Sequence, residues 1–339
     1  MAEVRHDFRR RFRLVAVAIA IGGAVSGVGL ALTAPWEAGN GVNLHLVDTA
    51  GTATTVRPTP AVPSLVSPGA GSTVNLAYGS DPAQRLDVYE PGPGVHPVVI
   101  WIHGGGWIGG SKADVPTAVL NQLARGYAVI SIEYRLAPAH RFPAAVEDVK
   151  LAVRWIKANA TGLRIRPGAI IAWGGSAGGY LAAMLGSSPG LMEPLGLPPD
   201  VAAQTSAVAA VVDMAGPSDL TTFWKDPGMI PYIEREFLGC DPSLARPTGC
   251  DPTLETAATI ASYLSPASPP AFLAYGTADP FVAVTAQGDR LAQAWARARG
   301  SQAVVYDRVI NGGHVFDGAG TDVQALEQFI DQVATGRLR

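Results

Sequence analysis

Lysine, cysteine and long blocks of one charge are what this 339-residue chain has least of. Lysine stands only at Lys112, Lys150, Lys157 and Lys225, charged residues make up 16% of the sequence, and the formal net charge is -3. With no basic block beyond the first residues, the chain lacks the electrostatic footprint that grips a phosphate backbone, which argues against nucleic acid as a partner. Cysteine occurs only at Cys240 and Cys250, with no histidine between them, so a Cys/His metal-ligand pattern is excluded there and no metal site is expected. Internal repeats and heptads are also missing, which sets aside solenoids and coiled coils. What is present, 48% hydrophobic residues in a chain of this length, suits one large domain with a sizeable core.

Arginine concentrates at the start. Arg5, Arg9, Arg10, Arg11 and Arg13 precede an uncharged apolar run from Leu14 to Ala34. That order, a positive segment and then an apolar one, predicts a signal peptide or a membrane anchor over residues 1–34. The run is long enough to span a bilayer and also ends on small residues, Ala31-Leu32-Thr33-Ala34, where a peptidase can cut, so both readings stay open. Either one predicts an exported protein, secreted or held at the outer face of the cytoplasmic membrane through residues 14–34. Residues 35–72, rich in Gly, Pro, Thr and Ser and without periodicity, read as a flexible linker. Residues 73–339 are left as the folded domain.

In that domain short β-branched runs alternate with longer helical patterns, the mark of an α/β fold. The expected strands are 73–78, 86–90, 97–103, 127–133, 169–174, 207–213, 271–275 and 303–309, giving a mostly parallel eight-stranded sheet with helices on both faces. Only Gly79-Ser80-Asp81-Pro82 separates the first two, too little for a crossover helix, so they should form an antiparallel hairpin at one edge. Helical patterns run over 115–125, 143–160, 177–186, 286–299 and 321–334.

After the fifth strand comes Trp173-Gly174-Gly175-Ser176-Ala177-Gly178-Gly179, opening a helical stretch. Gly-x-Ser-x-Gly between strand and helix is a nucleophile elbow, a turn so tight that only small residues fit beside the serine. It lifts the Ser176 hydroxyl above the sheet at a helix N-terminus, where developing negative charge is favoured. After the third strand comes His103-Gly104-Gly105-Gly106-Trp107. Acyl transfer develops an oxyanion that needs preorganised N–H donors, and glycines let backbone amides approach it closely. Gly104, Gly105, Gly106 and Ala177 are the candidate donors. A phosphate-binding loop is the competing reading of a glycine run, but no Gly-Lys-Ser/Thr follows and the elbow lies downstream.

The general base follows by elimination. His6 lies in the signal, His45 in the linker, His96 before the third strand, His103 in the glycine loop and His140 in a proline-containing connection; only His314 follows the last strand. The acid should lie between nucleophile and base in chain order. Asp279, in the turn after the seventh strand, is the first choice, and Asp219, after the sixth, is the competitor and reads better as a helix cap. Trp107, Trp224, Phe281 and Phe316 fall on loops at the same sheet edge and are candidates to line a substrate pocket, with core packing as the alternative fate. Cys240 and Cys250, close together in an exported chain, are expected to form a disulfide.

His103-Gly104-Gly105-Gly106-Trp107, Tyr134-Arg135-Leu136-Ala137-Pro138, Phe142-Pro143-Ala144-Ala145-Val146-Glu147-Asp148, Gly175-Ser176-Ala177-Gly178-Gly179 and Gly276-Thr277-Ala278-Asp279 together resemble the hormone-sensitive-lipase-like and acetylxylan/feruloyl-type esterases of the α/β-hydrolase fold-3 group. The likeness covers about residues 73–334. It implies an α/β-hydrolase fold, carboxylic-ester hydrolysis without metal or organic cofactor, and an oxyanion hole lined by Gly104, Gly105 and Ala177. Small-molecule esters of short acyl, acetyl or feruloyl acids, or an esterified polysaccharide, are the implied substrates. Many hormone-sensitive-lipase-like enzymes carry a helical N-terminal cap, whereas residues 35–72 here read as unstructured, which implies a more open pocket. A serine peptidase or amidase, and a non-catalytic binding module on the same fold, are the rival functions.

Overall fold

The computed structural model describes residues 72–226, 230–245 and 249–338. The expected signal or anchor over 1–34 and nearly all of the expected linker lie outside the described residues. Eight strands form one sheet: β1 (Thr73–Ala77), β2 (Arg85–Tyr89), β3 (His96–Ile102), β4 (Ala128–Ile132), β5 (Ile165–Gly175), β6 (Ala210–Met214), β7 (Ala271–Gly276) and β8 (Val304–Val309). The α-helices among the described residues are α1 (Thr117–Leu120), α2 (Ala144–Ala158), α3 (Ala177–Ser187), α4 (Pro199–Ala202), α5 (Ile230–Leu238), α6 (Pro252–Ala257), α7 (Gly288–Arg299) and α8 (Val323–Ala334).

The sheet order is β1-β2-β4-β3-β5-β6-β7-β8. β1 and β2 form the expected antiparallel hairpin at one edge, β2 also pairs antiparallel with β4, and every other pairing is parallel. The central strands are apolar on both faces because helices cover both. Along β3, Val98, Ile100 and Ile102 join the layer of α2, α3 and α7, while Val99 and Trp101 join the layer of α8. That alternation is the period-two geometry of a strand with no solvent face. Every residue of α3 is buried, so this helix, apolar all round, is locked between the sheet and the loops above it. Fixing α3 fixes the turn that begins it.

Beyond shifts of a few residues at element ends, such as the sixth strand at Ala210–Met214 in place of 207–213, three departures bear on the architecture. β5 starts at Ile165, because His96 and Ile165 pair ahead of a bulge. The helix expected over 115–125 is a short α-turn continued by a 3₁₀ segment, Asn121–Arg125. The connection between β6 and β7, given no helix in the sequence reading, carries α5 and α6. Cys240 and Cys250 in that connection are joined by a disulfide with an S–S distance of 2.01 Å and a Cα–Cα distance of 5.0 Å. Among the described residues no helix is long and apolar enough to cross a membrane.

Candidate active site

Parallel strands point their C-terminal ends the same way, so the loops after β3, β5, β7 and β8 gather at one edge of the sheet. Ser176, between β5 and α3, has φ 56° and ψ -123°, the strained backbone of an elbow. Its N–H donates to the Met214 carbonyl at 2.7 Å, tying the turn to the end of β6. Two close approaches show how tightly the neighbours are set. A Cβ on Gly104 would stand 2.7 Å from the Gly175 carbonyl oxygen and 3.2 Å from Ser176 Cβ, so the glycine loop lies directly against the serine. A Cβ on Gly175 would stand 2.0 Å from the Phe316 carbonyl oxygen, so the loop carrying His314 crosses the same turn. Real Cβ atoms do not come that close; glycine is the residue these contacts admit.

Gly104 lies against the elbow and Ala177 opens the helix that follows it, and among the described residues the amides of Gly104, Gly105, Gly106 and Ala177 have no protein acceptor. Ala177 N–H belongs to the first turn of α3, where amides lack intrahelical partners by construction.

The loops after β7 and β8 are fastened to each other. Thr277 N–H donates to the Val309 carbonyl at 2.9 Å, Ala278 N–H to Gly312 at 2.8 Å, and Asn311 N–H to Thr277 Oγ1 at 2.8 Å. Across this seam His314 Nδ1 lies 2.7 Å from Asp279 Oδ2. The other carboxylate oxygen of Asp279 accepts the Phe281 and Val282 amides at 2.8 and 3.0 Å, which fixes the side chain. Asp279 is 1% exposed and His314 14%, so the acid is sealed and the imidazole is not. His314 Nε2 has no protein partner among the described residues.

Asp219, the competing acid, turns into its own segment, accepting from Thr221 N–H at 3.0 Å and from Thr222 Oγ1 at 3.1 Å, with Arg290 3.7 Å away. It caps a turn and not a helix. Of the four aromatics, Phe281 and Phe316 flank the His314 ring at centroid distances of 5.4 and 5.7 Å. Trp224 is half-buried with the Lys225 ammonium 4.9 Å from its ring centroid. Trp107 belongs to the core: it is 1% exposed, stacks on Phe237 of α5 at 4.0 Å and meets Tyr180 of α3 edge-on. Its expected place in a pocket wall is corrected to packing, because α5 covers the ring.

Other groups here were missed by the sequence reading. His103 is buried and bonded at both nitrogens, Nδ1 to the Gly104 carbonyl at 2.8 Å and Nε2 to Glu133 at 3.0 Å, and it stacks on Tyr134. Burial pushes the Glu133 carboxyl up, but the hydrogen bond and charge of His103 outweigh it and hold the group below its ordinary value. Glu234, on α5, is fully buried with neither carboxyl oxygen hydrogen-bonded among the described residues. Burial, with the neighbouring Glu255, Asp226 and Asp219 carboxylates, raises it to about 9. Only the pairing of Glu133 with a glycine-loop histidine had a readable signal, an acidic residue directly after a buried strand.

A parallel sheet, a serine elbow at its C-terminal edge, a glycine loop beside it and a histidine–carboxylate pair after the last strands define the α/β-hydrolase class. Within it, the family model described as BD-FAE matches residues 86–294, and the chain belongs to the BD-FAE family. It is similar to Esterase LipQ of Mycobacterium tuberculosis, with 31% identity over 270 residues covering 77% of this chain and 61% of LipQ. The probable carboxylic ester hydrolase LipM of the same organism is 30% identical, covering 76% of this chain and 61% of LipM. The chain thus spans less than two thirds of these relatives. Among solved structures, a truncated carbohydrate esterase from gut microbiota superposes with a TM-score of 0.69 at 25% identity, covering 78% of this chain and 96% of that one. The thermophilic esterase Est2 of Thermogutta terrifontis gives 0.59 at 26% identity, covering 80% and 94%.

Proposed function

We propose that the protein is a serine carboxylesterase working through Ser176, His314 and Asp279. The observation that carries this reading is the Asp279–His314 bond of 2.7 Å, held on the loop that crosses the serine elbow, with the second imidazole nitrogen unpartnered among the described residues. Asp279 fixes the tautomer in which Nδ1 carries the proton, so Nε2 takes the Ser176 proton as the hydroxyl oxygen attacks the ester carbon. The carbonyl oxygen gains charge and is met by the amides of Gly104, Gly105, Gly106 and Ala177. His314 then protonates the departing alcohol, and water, activated by the same imidazole, releases the acid from the acyl-enzyme.

Short acyl groups suit the reading, since one structure of the Thermogutta esterase, similar at 25% identity, is described as propionate-bound. An acetylated or feruloylated sugar, free or in a polysaccharide, is the substrate class that the carbohydrate-esterase neighbour supports. Phe281 and Phe316, which flank the His314 ring, would meet its ring or aryl faces. Export, by cleaved signal or by anchor, belongs to the same proposal, and the Cys240–Cys250 disulfide suits an oxidising compartment.

The test is labelling by a fluorophosphonate alongside turnover of a chromogenic acetate, an aminoacyl anilide and acetylated and feruloylated sugars. Ser176→Ala should abolish both labelling and ester turnover. Faster cleavage of the anilide than of the esters would make the protein an amidase, and folded protein that takes no label would make it a binding module.

A further inference from the structure

Beneath the elbow lies a carboxyl group that the mechanism above does not use. Asp213, on β6, is fully buried. Its backbone pairs with Gly174 of β5, and the next residue, Met214, supplies the carbonyl that holds the Ser176 amide. Its Oδ1 stands 2.2 Å from where a Cβ on Gly179 would be, so the carboxyl presses against the first turn of α3, three residues past the serine.

The hydrogen bonds around Asp213 can be counted. Oδ1 accepts the Gly216 N–H at 2.8 Å. Oδ2 lies 2.8 Å from Tyr275 Oη, which in turn lies 2.6 Å from the Gly216 carbonyl oxygen. A phenol has one proton and the carbonyl has none to give. If Asp213 is ionised, a single proton must serve two close oxygen–oxygen contacts, and one is left as lone pair against lone pair. A second proton, on Asp213, satisfies both: Oδ2–H donates to Tyr275 Oη, and Tyr275 O–H donates to Gly216.

We infer that Asp213 is a positioning residue for Ser176 that does its work as an uncharged carboxylic acid, joining β6, β7 and the Gly216 turn under the elbow. The inference rests on the reading of Ser176 as nucleophile. Burial, set against the hydrogen bonds from Tyr275 and Gly216, raises the group to about 7, in accord with the proton count. Tyr275 faces it from β7, with Tyr306 and Asp279 acting on that phenol, and among the described residues the other polar groups against it are the amides of the Gly216 turn and of the α3 N-terminus. Once ionised, Asp213 would leave one contact unsatisfied and put negative charge under the helix end that must receive the oxyanion. Turnover should therefore decline on the alkaline side for a reason unconnected with His314.

Asp213→Asn is the decisive variant, because an amide reproduces the protonated acid: its oxygen accepts from Gly216 and its nitrogen donates to Tyr275. In the full chain, the pH profile of kcat/KM for a chromogenic acetate, per fluorophosphonate-titrated site, should match wild type near pH 6 and lose the wild-type decline between pH 7 and 9. Profiles that overlay across that range would overturn the inference, since a purely structural role would change the melting temperature and not the profile. Carboxyl-¹³C aspartate spectra, with Asp213 assigned by its disappearance in that variant, should show it still protonated at pH 6; an ionised Asp213 at pH 6 with Ser176 labelling intact overturns this inference alone. Should the asparagine variant not fold, Tyr275→Phe, which removes the hydroxyl that only a protonated Asp213 can share with the Gly216 carbonyl, should displace the titration of the aspartate found near neutrality, and no movement overturns the inference. Absent labelling with that titration intact overturns the serine reading and, with it, the positioning role.

Discussion

His314, after β8, and His103, after β3, both hydrogen-bond a carboxylate at the same edge of the sheet, 2.7 Å from Asp279 and 3.0 Å from Glu133. In type of partner they are equivalent, yet His103 is 1% exposed and spends its second nitrogen on the Gly104 carbonyl, while His314 keeps its second nitrogen free of protein partners among the described residues. A base must have a nitrogen with nothing to do until substrate arrives. His103, with none to spare, is a fastener: it clamps the Gly104 carbonyl and so sets which way the Gly104–Gly105 peptide faces. The carboxylate makes a histidine rigid in both regions, and the remaining nitrogen decides whether rigidity serves catalysis or architecture.

The sharpest way to break this comparison is to remove each ring. His314→Ala should lower kcat by about 10⁴-fold or more while the melting temperature stays put, whereas His103→Ala should lower the melting temperature and reduce kcat by only about 10- to 100-fold. Steady-state kinetics on a chromogenic acetate with thermal melts checks both, and an exchange of the two phenotypes would invert the assignment. Next in size, Asp279→Asn should cost about 10³- to 10⁴-fold in kcat, because the imidazole loses its orienting charge, while Asp219→Asn stays within about threefold. A larger loss at Asp219 would move the acid to β6. Smaller again, Glu133→Gln should destabilise the fold by about 1.5–3 kcal/mol, the range for a hydrogen bond to a charged group, measured by urea unfolding. The smallest effect is in pH. The Glu133 carboxyl sits below its ordinary value of 4.5 in the folded protein, so its contribution is present above that pH and is lost as pH falls through the folded value. The stability gap between wild type and Glu133→Gln should therefore narrow on acidification below about pH 4.5, and a gap that widens would show that Glu133 is not held ionised.

Much of this edge was legible because small-residue patterns are local. Gly174-x-Ser176-x-Gly178 and the run at Gly104 fix turn geometry within five residues, and the β-branched strands announce themselves by the same short-range rule. Chain order pointed to His314, and the turn after the seventh strand favoured Asp279 over Asp219. What could not be read is what depends on covering. Trp107 reads as a loop aromatic until α5 lies over it, and α5 itself hides in a segment that has Pro231 as its second residue and buries Ile233, Phe237 and Leu238 among charged neighbours. Sheet order was equally hidden, since β4 slips between β2 and β3 by a long-range choice that no local run encodes. Glu133, Asp213 and Glu234 look like ordinary acids in sequence; their roles arise only when distant strands and a helix bury them.

The contact between Gly104 and the Ser176 turn has a consequence for how such a protein changes over generations. Where backbone meets backbone with no room for a methyl group, almost every missense change is a clash, so this turn is closed to gradual exploration. The β6–β7 connection meets the glycine loop through side chains instead, Ile233 and Phe237, and carries its own Cys240–Cys250 cross-link. That cross-link closes a short loop between residues 240 and 250 within the connection. A designer varying this chain should therefore leave these glycines alone.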